Sequence, residues 1–158
     1  MPARRSDPDR LLAAVNDQRA ALGVAPWAGA LTVPALGRAS VAAVLAALDA
    51  GADPRREALR TAVVHLLDLL ESRAPGRSVE VRIPPYAAIQ CVPGTRHTRG
   101  TPPNVVETDA VTWIKLATGR LTWAQATGGQ LRASGTRANL SEYLPLASGE
   151  PGGLTSLE

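Results

Sequence analysis

With 158 residues, 45% of them hydrophobic and 20% charged, the chain is long enough for one domain and excludes a disordered protein. A single cysteine excludes an intrachain disulfide, and no apolar run reaches the roughly 18 residues that predict a transmembrane helix. The net charge is +3, and residues 81–141 hold seven basic and two acidic groups, for a local charge of +5. A positive segment of this kind favours an anionic partner, although a basic surface without any partner is an equal alternative.

Three helices are predicted in the first half of the chain. The first begins near Ser6, whose side chain is suited to cap it. The second runs from Thr32–Pro34 to Gly51, with apolar residues at the helical spacing i, i+3, i+4 and i+7. The third is predicted to follow Asp53 as its N-cap and to continue to about Arg73.

The hydrophobic period changes to two residues from Ser78 onward, which is typical of half-buried strands. Strands are predicted around residues 78–83, 86–92, 105–107 and 130–134. Two short helices are predicted before the last strand, the first capped by Asp109 and the second by Thr122. Three helices followed by mixed strands and helices predict an α+β fold.

The order of these elements suggests three parts of the chain. Residues 1–76 are expected to form a helical N-terminal region that packs on the core, and residues 77–146 the α+β region. Residues 147–158 are expected to be a flexible tail, with vector-derived residues at its end. The N-terminus lacks the apolar stretch of a signal peptide, so a cytoplasmic location is expected.

A loop rich in basic, Pro and Gly residues, Pro93 to Asn104, is the best local candidate for a binding site. Its residues Arg96 and Arg99 are suited to hold a carboxylate or phosphate by paired hydrogen bonds, with His97 beside them. Pro and Gly shape such a loop and reduce the entropy lost on binding. The alternative is an exposed basic loop, or one whose arginines bind loop carbonyls and are structural.

Other kinds of site are not expected from the sequence. The two histidines, His65 and His97, lie on different elements, so neither a metal site nor a cofactor is predicted. Cys91 lies in the middle of a strand, where a cysteine is typically a small buried hydrophobe. No nucleic acid partner is expected, because no aromatic residue lies near the loop arginines to stack on bases. Oligomeric state has no signal in the sequence.

The segments TDAVTWIKLATGR and GGQLRASG carry a family resemblance. A short helix with an apolar face, followed by a Gly and then by a strand of small residues that ends in Gly, resembles the C-terminal half of sterol-carrier-protein-2-like domains. Over residues 77–146 the chain is similar, more closely still, to a group of uncharacterised bacterial sterol-carrier-like proteins.

This resemblance implies a small mixed sheet covered by helices, with an apolar slot between them. It also implies which residues line or close the slot, namely Trp113, Ile114, Leu116, Leu121 and Trp123. Taken singly, each of these is better explained as a core residue. The implied function is non-enzymatic binding or carriage of a small apolar or amphipathic lipid-like ligand. The basic charge of residues 81–141 adds the expectation of an anionic group near the Arg96 loop and of transient contact with anionic membranes.

Composition limits this implication. The chain is rich in Ala, has no Phe and has 3% aromatic residues, so it has few large side chains with which to line a lipid cavity. One alternative is a protein-interaction or structural domain without a ligand. The other is a cofactorless enzyme related to the sterol-carrier-like domain of mycothiol-dependent isomerases, whose metal site needs more helix histidines than His65.

Overall fold

Three helices precede a four-stranded sheet with two further short helices. The fold is known from a computed structural model, which describes residues 6–94 and 103–147. The helices are α1 (Pro8–Ala21), α2 (Val33–Asp49), α3 (Arg56–Arg73), α4 (Ala110–Ala117) and α5 (Trp123–Thr127). The strands are β1 (Val79–Ile83), β2 (Ala87–Cys91), β3 (Val105–Glu107) and β4 (Arg132–Ser134), and a 3-10 turn covers Ser141–Tyr143. The predicted α+β class is confirmed.

Two predicted helix starts are wrong by a few residues. The N-cap of α1 is Asp7 and not Ser6, since the Asp7 carboxylate accepts the hydrogen bond from the first free amide. Asp53 does not cap α3, which begins further along the chain. The Arg55 amide donates to the side chain of buried Gln18 at 2.6 Å, and this bond holds the segment before Arg56 outside the helix.

The described residues form two compact units, one up to His65 and one from Leu66 onward, so the division falls within α3. The predicted boundary at residue 76 stays a prediction. In the first unit α1 packs on α2. The hydroxyl of buried Ser40 donates to the carbonyl of Ala58 at 2.8 Å and joins α2 to α3. The core of this unit includes Val15, Leu36, Val44, Leu45 and Val63, which are fully buried.

The second unit is built on a mixed sheet with strand order β2-β1-β3-β4. Strand β1 is parallel to β3, and the other pairs are antiparallel. Val79, Val81 and Ile83 point to the buried face of the sheet. On the other face Arg82 donates to Glu80 at 2.8 Å. This alternation confirms the two-residue period of the sequence.

The beginnings of β1 and β3 and the ends of β2 and β4 lie together at one end of the sheet. The register pairs Val79 with Cys91 and Glu80 with Val105, and Val105 pairs in turn with Ser134. The segments just outside these strand ends therefore share one end of the sheet. Because β2 and β3 both neighbour β1, the chain between them has to cross only two strand spacings, ~10 Å.

Candidate functional site

A half-open groove of about 220 Å³ is formed in the second unit. We call it the apolar groove; it is lined by Leu116, Gly119, Leu121, Thr122, Trp123, Ser141, Leu144 and Pro145. Most of these side chains are apolar, and the two polar ones are hydroxyls. Such a lining suits an apolar ligand that has few polar atoms.

The turn between α4 and α5 forms one side of the groove. Leu116, which is 2% exposed, closes the bottom from the last turn of α4. Gly119 has φ +78°, a conformation that glycine adopts without strain, and it ends the helix. Thr122 then caps α5 through a capping box, because its hydroxyl accepts from the Gln125 amide while the Gln125 side chain accepts from the Thr122 amide. Two local caps thus set the positions of Leu121 and Trp123.

The segment after the 3-10 turn forms the opposite side. The amide of Leu146 donates to the carbonyl of Ala117 at 2.7 Å, which ties this segment to the end of α4. The guanidinium of Arg73 donates to the carbonyls of Tyr143 and Pro145, at 3.0 and 2.7 Å. These bonds satisfy carbonyls of an irregular segment and so hold Leu144 and Pro145 in place.

Close packing limits the groove at its end. A β-carbon on Gly119 would lie 3.5 Å from the β-carbon of Pro145, in ordinary contact. A hydroxyl is available in the lining, since Ser141 is exposed and its side chain makes no hydrogen bond among the described residues. The groove therefore offers an apolar lining with an available polar group.

The five apolar residues implied by the family resemblance fall into two groups. Leu116, Leu121 and Trp123 line the groove. Trp113 and Ile114 are 1% and 0% exposed and are not part of its lining. Helix α4 therefore contributes its last turn to the groove and its middle to the core.

Sequence reasoning missed the second side of the groove, Ser141, Leu144 and Pro145. No local pattern indicates that this segment packs against α4, because its position depends on Arg73, 70 and 72 residues away from the carbonyls that it binds.

The basic loop begins and ends on a hydrogen-bonded network, which we call the loop base. Asn104 links its two sides, since its amide nitrogen donates to the Ser78 carbonyl at 2.8 Å and its oxygen accepts from the Arg137 amide at 3.0 Å. The Arg137 guanidinium donates to the Pro93 carbonyl at 3.1 Å. Glycine is favoured at Gly94 by its φ of +152°, and a β-carbon there would also overlap the Arg137 guanidinium.

Val92, at the start of this loop, has a strained backbone. Its φ is +68°, a region that β-branched residues rarely adopt. The Ser78 amide and hydroxyl both donate to the Val92 carbonyl, at 3.2 and 2.8 Å, and hold it there. Strain of this kind is found most often at functional sites, and it costs about 1–3 kcal/mol. The predicted site residues Arg96, His97 and Arg99 lie outside the described residues, so their role stays a prediction.

Cys91 has the properties of a core residue. It is fully buried at the end of β2. Burial, together with the nearby charge of Glu71, raises the pKa of the Cys91 thiol to about 11. The thiol is therefore protonated at neutral pH and is a poor nucleophile. Within residues 6–94 and 103–147 no group of three or more His, Cys, Asp or Glu side chains is arranged to hold a metal ion.

Comparison with known proteins gives one result. Residues 55–146 match the model of a protein family described as "Bacterial SCP ortholog", in which SCP denotes sterol carrier protein. No curated protein matches the chain significantly. The matched region begins just before α3 and includes every residue of the apolar groove and the loop base. Helices α1 and α2 precede it. No helix in the described parts of the chain is long and apolar enough to cross a membrane.

Proposed function

Because the chain belongs to the family of bacterial sterol carrier protein orthologs, we propose that it binds and carries a small apolar or amphipathic molecule in the apolar groove. The observation that carries this proposal is the lining of the groove, with Leu116, Leu121, Trp123, Leu144 and Pro145 around about 220 Å³. Burial of a ligand's apolar surface on such a lining is favourable by ~25 cal/mol per Å².

The volume of the groove limits the ligand. Pockets that enclose drug-sized ligands have about 300–1,000 Å³. A groove of about 220 Å³ is smaller and is open on one side. It suits a short acyl chain, or one end of a longer lipid whose remainder stays outside. A complete sterol is too large to be enclosed in it.

An anionic group on the ligand is the second part of the proposal, and its partners are Arg96, His97 and Arg99. Two features of the described residues support a binding role for their loop. Thirteen residues separate β2 from β3, which is more chain than a crossing of two strand spacings needs. The loop base, with strained Val92, also holds the two ends of the loop in fixed positions.

Carriage without a chemical reaction is the third part. The one cysteine has a thiol pKa of about 11, so it does not provide a thiolate nucleophile at neutral pH. The hydroxyls of the groove, Thr122 and Ser141, lack a neighbouring histidine among the described residues that could act as a general base. The groove therefore favours binding over catalysis.

Calorimetric titration with octanoate tests the groove directly. Ser141 lines the groove and is exposed, so Ser141→Trp places a large ring in the groove without disturbing the core. We expect octanoate to bind the unmodified protein and binding to Ser141→Trp to be lost. Glu142→Trp is the matched control, because Glu142 is the next residue in the same 3-10 turn, is exposed and does not line the groove.

Both variants are first checked for an unchanged circular dichroism spectrum. Equal octanoate affinity in all three proteins would place the ligand elsewhere and would overturn the groove as the site. Absence of binding to the unmodified protein at millimolar octanoate would overturn carriage of short anionic chains.

A further inference from the structure

A second pocket, also of about 220 Å³, lies in the first unit and outside the region that matches the family. It is lined by Trp27, Ala35, Arg38 and Ala39, and we call it the Trp27–Arg38 pocket. Its walls are the connector between α1 and α2 and the first half of α2. No residue of the apolar groove takes part in it.

The indole of Trp27 is held in place from several sides. The Trp27 backbone amide donates to the side chain of Asn16 at 2.7 Å, and the indole Nε1–H donates to the carbonyl of Ala30 at 3.0 Å. The Arg19 guanidinium carbon lies 5.9 Å from the ring centroid, within the range of a cation–π contact. A β-carbon on Gly29 would overlap the ring, so glycine is required there. The indole is thus a flat wall whose position is set before any ligand arrives.

The second wall carries a positive charge. Arg38 is exposed, and no hydrogen bond or ion pair joins it to another described residue. No acidic residue occurs between Gln18 and Leu48, so neither the connector nor the rest of the first half of α2 brings a carboxylate to this pocket. Ala35 and Ala39 lie three residues before and one residue after Arg38, and their small side chains leave the space open.

His65 is close to Arg38, but it does not add a charge at neutral pH. Its ring packs against α2 at Gly37, where a β-carbon would overlap it. Burial and the Arg38 charge lower the pKa of His65. Arg38 is therefore the permanent positive group among the residues that line this pocket.

We propose that the Trp27–Arg38 pocket is a ligand site for a small aryl carboxylate. The guanidinium of Arg38 forms paired, charge-assisted hydrogen bonds with the carboxylate. The aromatic ring of the ligand packs against the indole of Trp27. About 220 Å³ has room for one aromatic ring together with its carboxylate. Because this site lies outside the apolar groove, it is independent of lipid carriage.

The probe is phenylacetate, with phenylacetamide as its uncharged counterpart. In two-dimensional NMR spectra the indole N–H signal of Trp27 is identified by its loss in Trp27→Phe. We expect phenylacetate to shift this signal, and phenylacetamide to bind roughly tenfold or more weakly. Arg38→Gln should reduce phenylacetate affinity by a similar factor. Arg56→Gln is the matched control, since Arg56 is an exposed arginine of the same unit that does not line the pocket.

Arg38→Lys separates charge from geometry, because lysine keeps the charge and loses the paired hydrogen bonds. An affinity between those of the unmodified protein and Arg38→Gln supports the proposal. A Trp27 signal that does not move up to millimolar phenylacetate overturns it. So does equal binding of phenylacetate and phenylacetamide, or an affinity that Arg38→Gln leaves unchanged.

Discussion

The apolar groove and the Trp27–Arg38 pocket have the same volume, about 220 Å³, and each has one tryptophan in its wall. They differ in the residues that complete the lining. Around Trp123 these are leucines, a proline and two hydroxyls, whereas around Trp27 they are two alanines and an arginine. Size therefore does not distinguish the two sites. The charge of the lining distinguishes them. It predicts an apolar chain as the ligand of the uncharged groove and a small aromatic anion as the ligand of the Trp27–Arg38 pocket.

The two sites also differ in how they are built. The side of the groove formed by Leu144 and Pro145 is held by Arg73, which comes from a distant part of the chain. Trp27 is held by Asn16 and Ala30, which are 11 and 3 residues away along the chain. A substitution far away in sequence can therefore alter the groove, whereas the pocket depends mainly on local contacts.

The largest expected effect tests which tryptophans belong to the groove. Trp113 is 1% exposed, so Trp113→Ala should lower the free energy of unfolding by about 3–5 kcal/mol in urea denaturation. Trp123 is half-buried and lines the groove, so Trp123→Ala should lower it by only about 1 kcal/mol and should weaken octanoate binding. Equal losses of stability would show that Trp123 is also a core residue.

A smaller effect, on ligand affinity, tests whether the ligand of the groove needs an anionic group, as the proposed ligand of the pocket does. The double variant Arg96→Ala/Arg99→Ala should reduce octanoate affinity roughly tenfold and leave 1-octanol affinity unchanged, because only octanoate carries a charge. The melting temperature should stay the same. Arg56→Ala controls for the loss of a positive charge outside the loop and the groove lining. A large loss of stability in the double variant would instead identify the two arginines as structural.

The smallest effect concerns the charge at the Trp27–Arg38 pocket. The pKa of His65 lies below its ordinary value of 6.5, first because of burial and second because of Arg38. The folded protein therefore binds fewer protons than the unfolded chain below pH 6.5, and its stability falls as the pH drops from 6.5 through the folded pKa.

Urea denaturation between about pH 5 and 7 should show this dependence in a His97→Gln background, where His65 is the remaining histidine. His65→Gln should flatten the curve, and Arg38→Gln should reduce its slope only in part, because burial remains. A slope that is the same in all variants would show that other groups cause it.

Local patterns in the sequence predicted most of the elements. Strand β3 was predicted at its observed bounds, Asp109 and Thr122 were predicted and found as helix caps, and α2 begins in the predicted range, with Thr32 as its N-cap. The predicted cap at Ser6 was wrong because the neighbouring Asp7 caps the helix in its place. The predicted cap at Asp53 was wrong because the Arg55 amide donates to the side chain of distant Gln18, and the helix begins after it. A cap is a choice among a few adjacent residues, and a tertiary contact can reverse it.

The sequence by itself determined the α+β class and the apolar stripe of α4, because periodicity and capping depend on residues within about four positions of each other. It also carried the family resemblance, which the match over residues 55–146 confirms. Only the tertiary structure showed that Trp113 of this stripe lies in the core whereas Leu116 lines the groove. It also brought Arg73 to the carbonyls of Tyr143 and Pro145 and assembled the Trp27–Arg38 pocket. The groove requires contacts between segments that are distant in sequence, and no local pattern encodes which segments will meet.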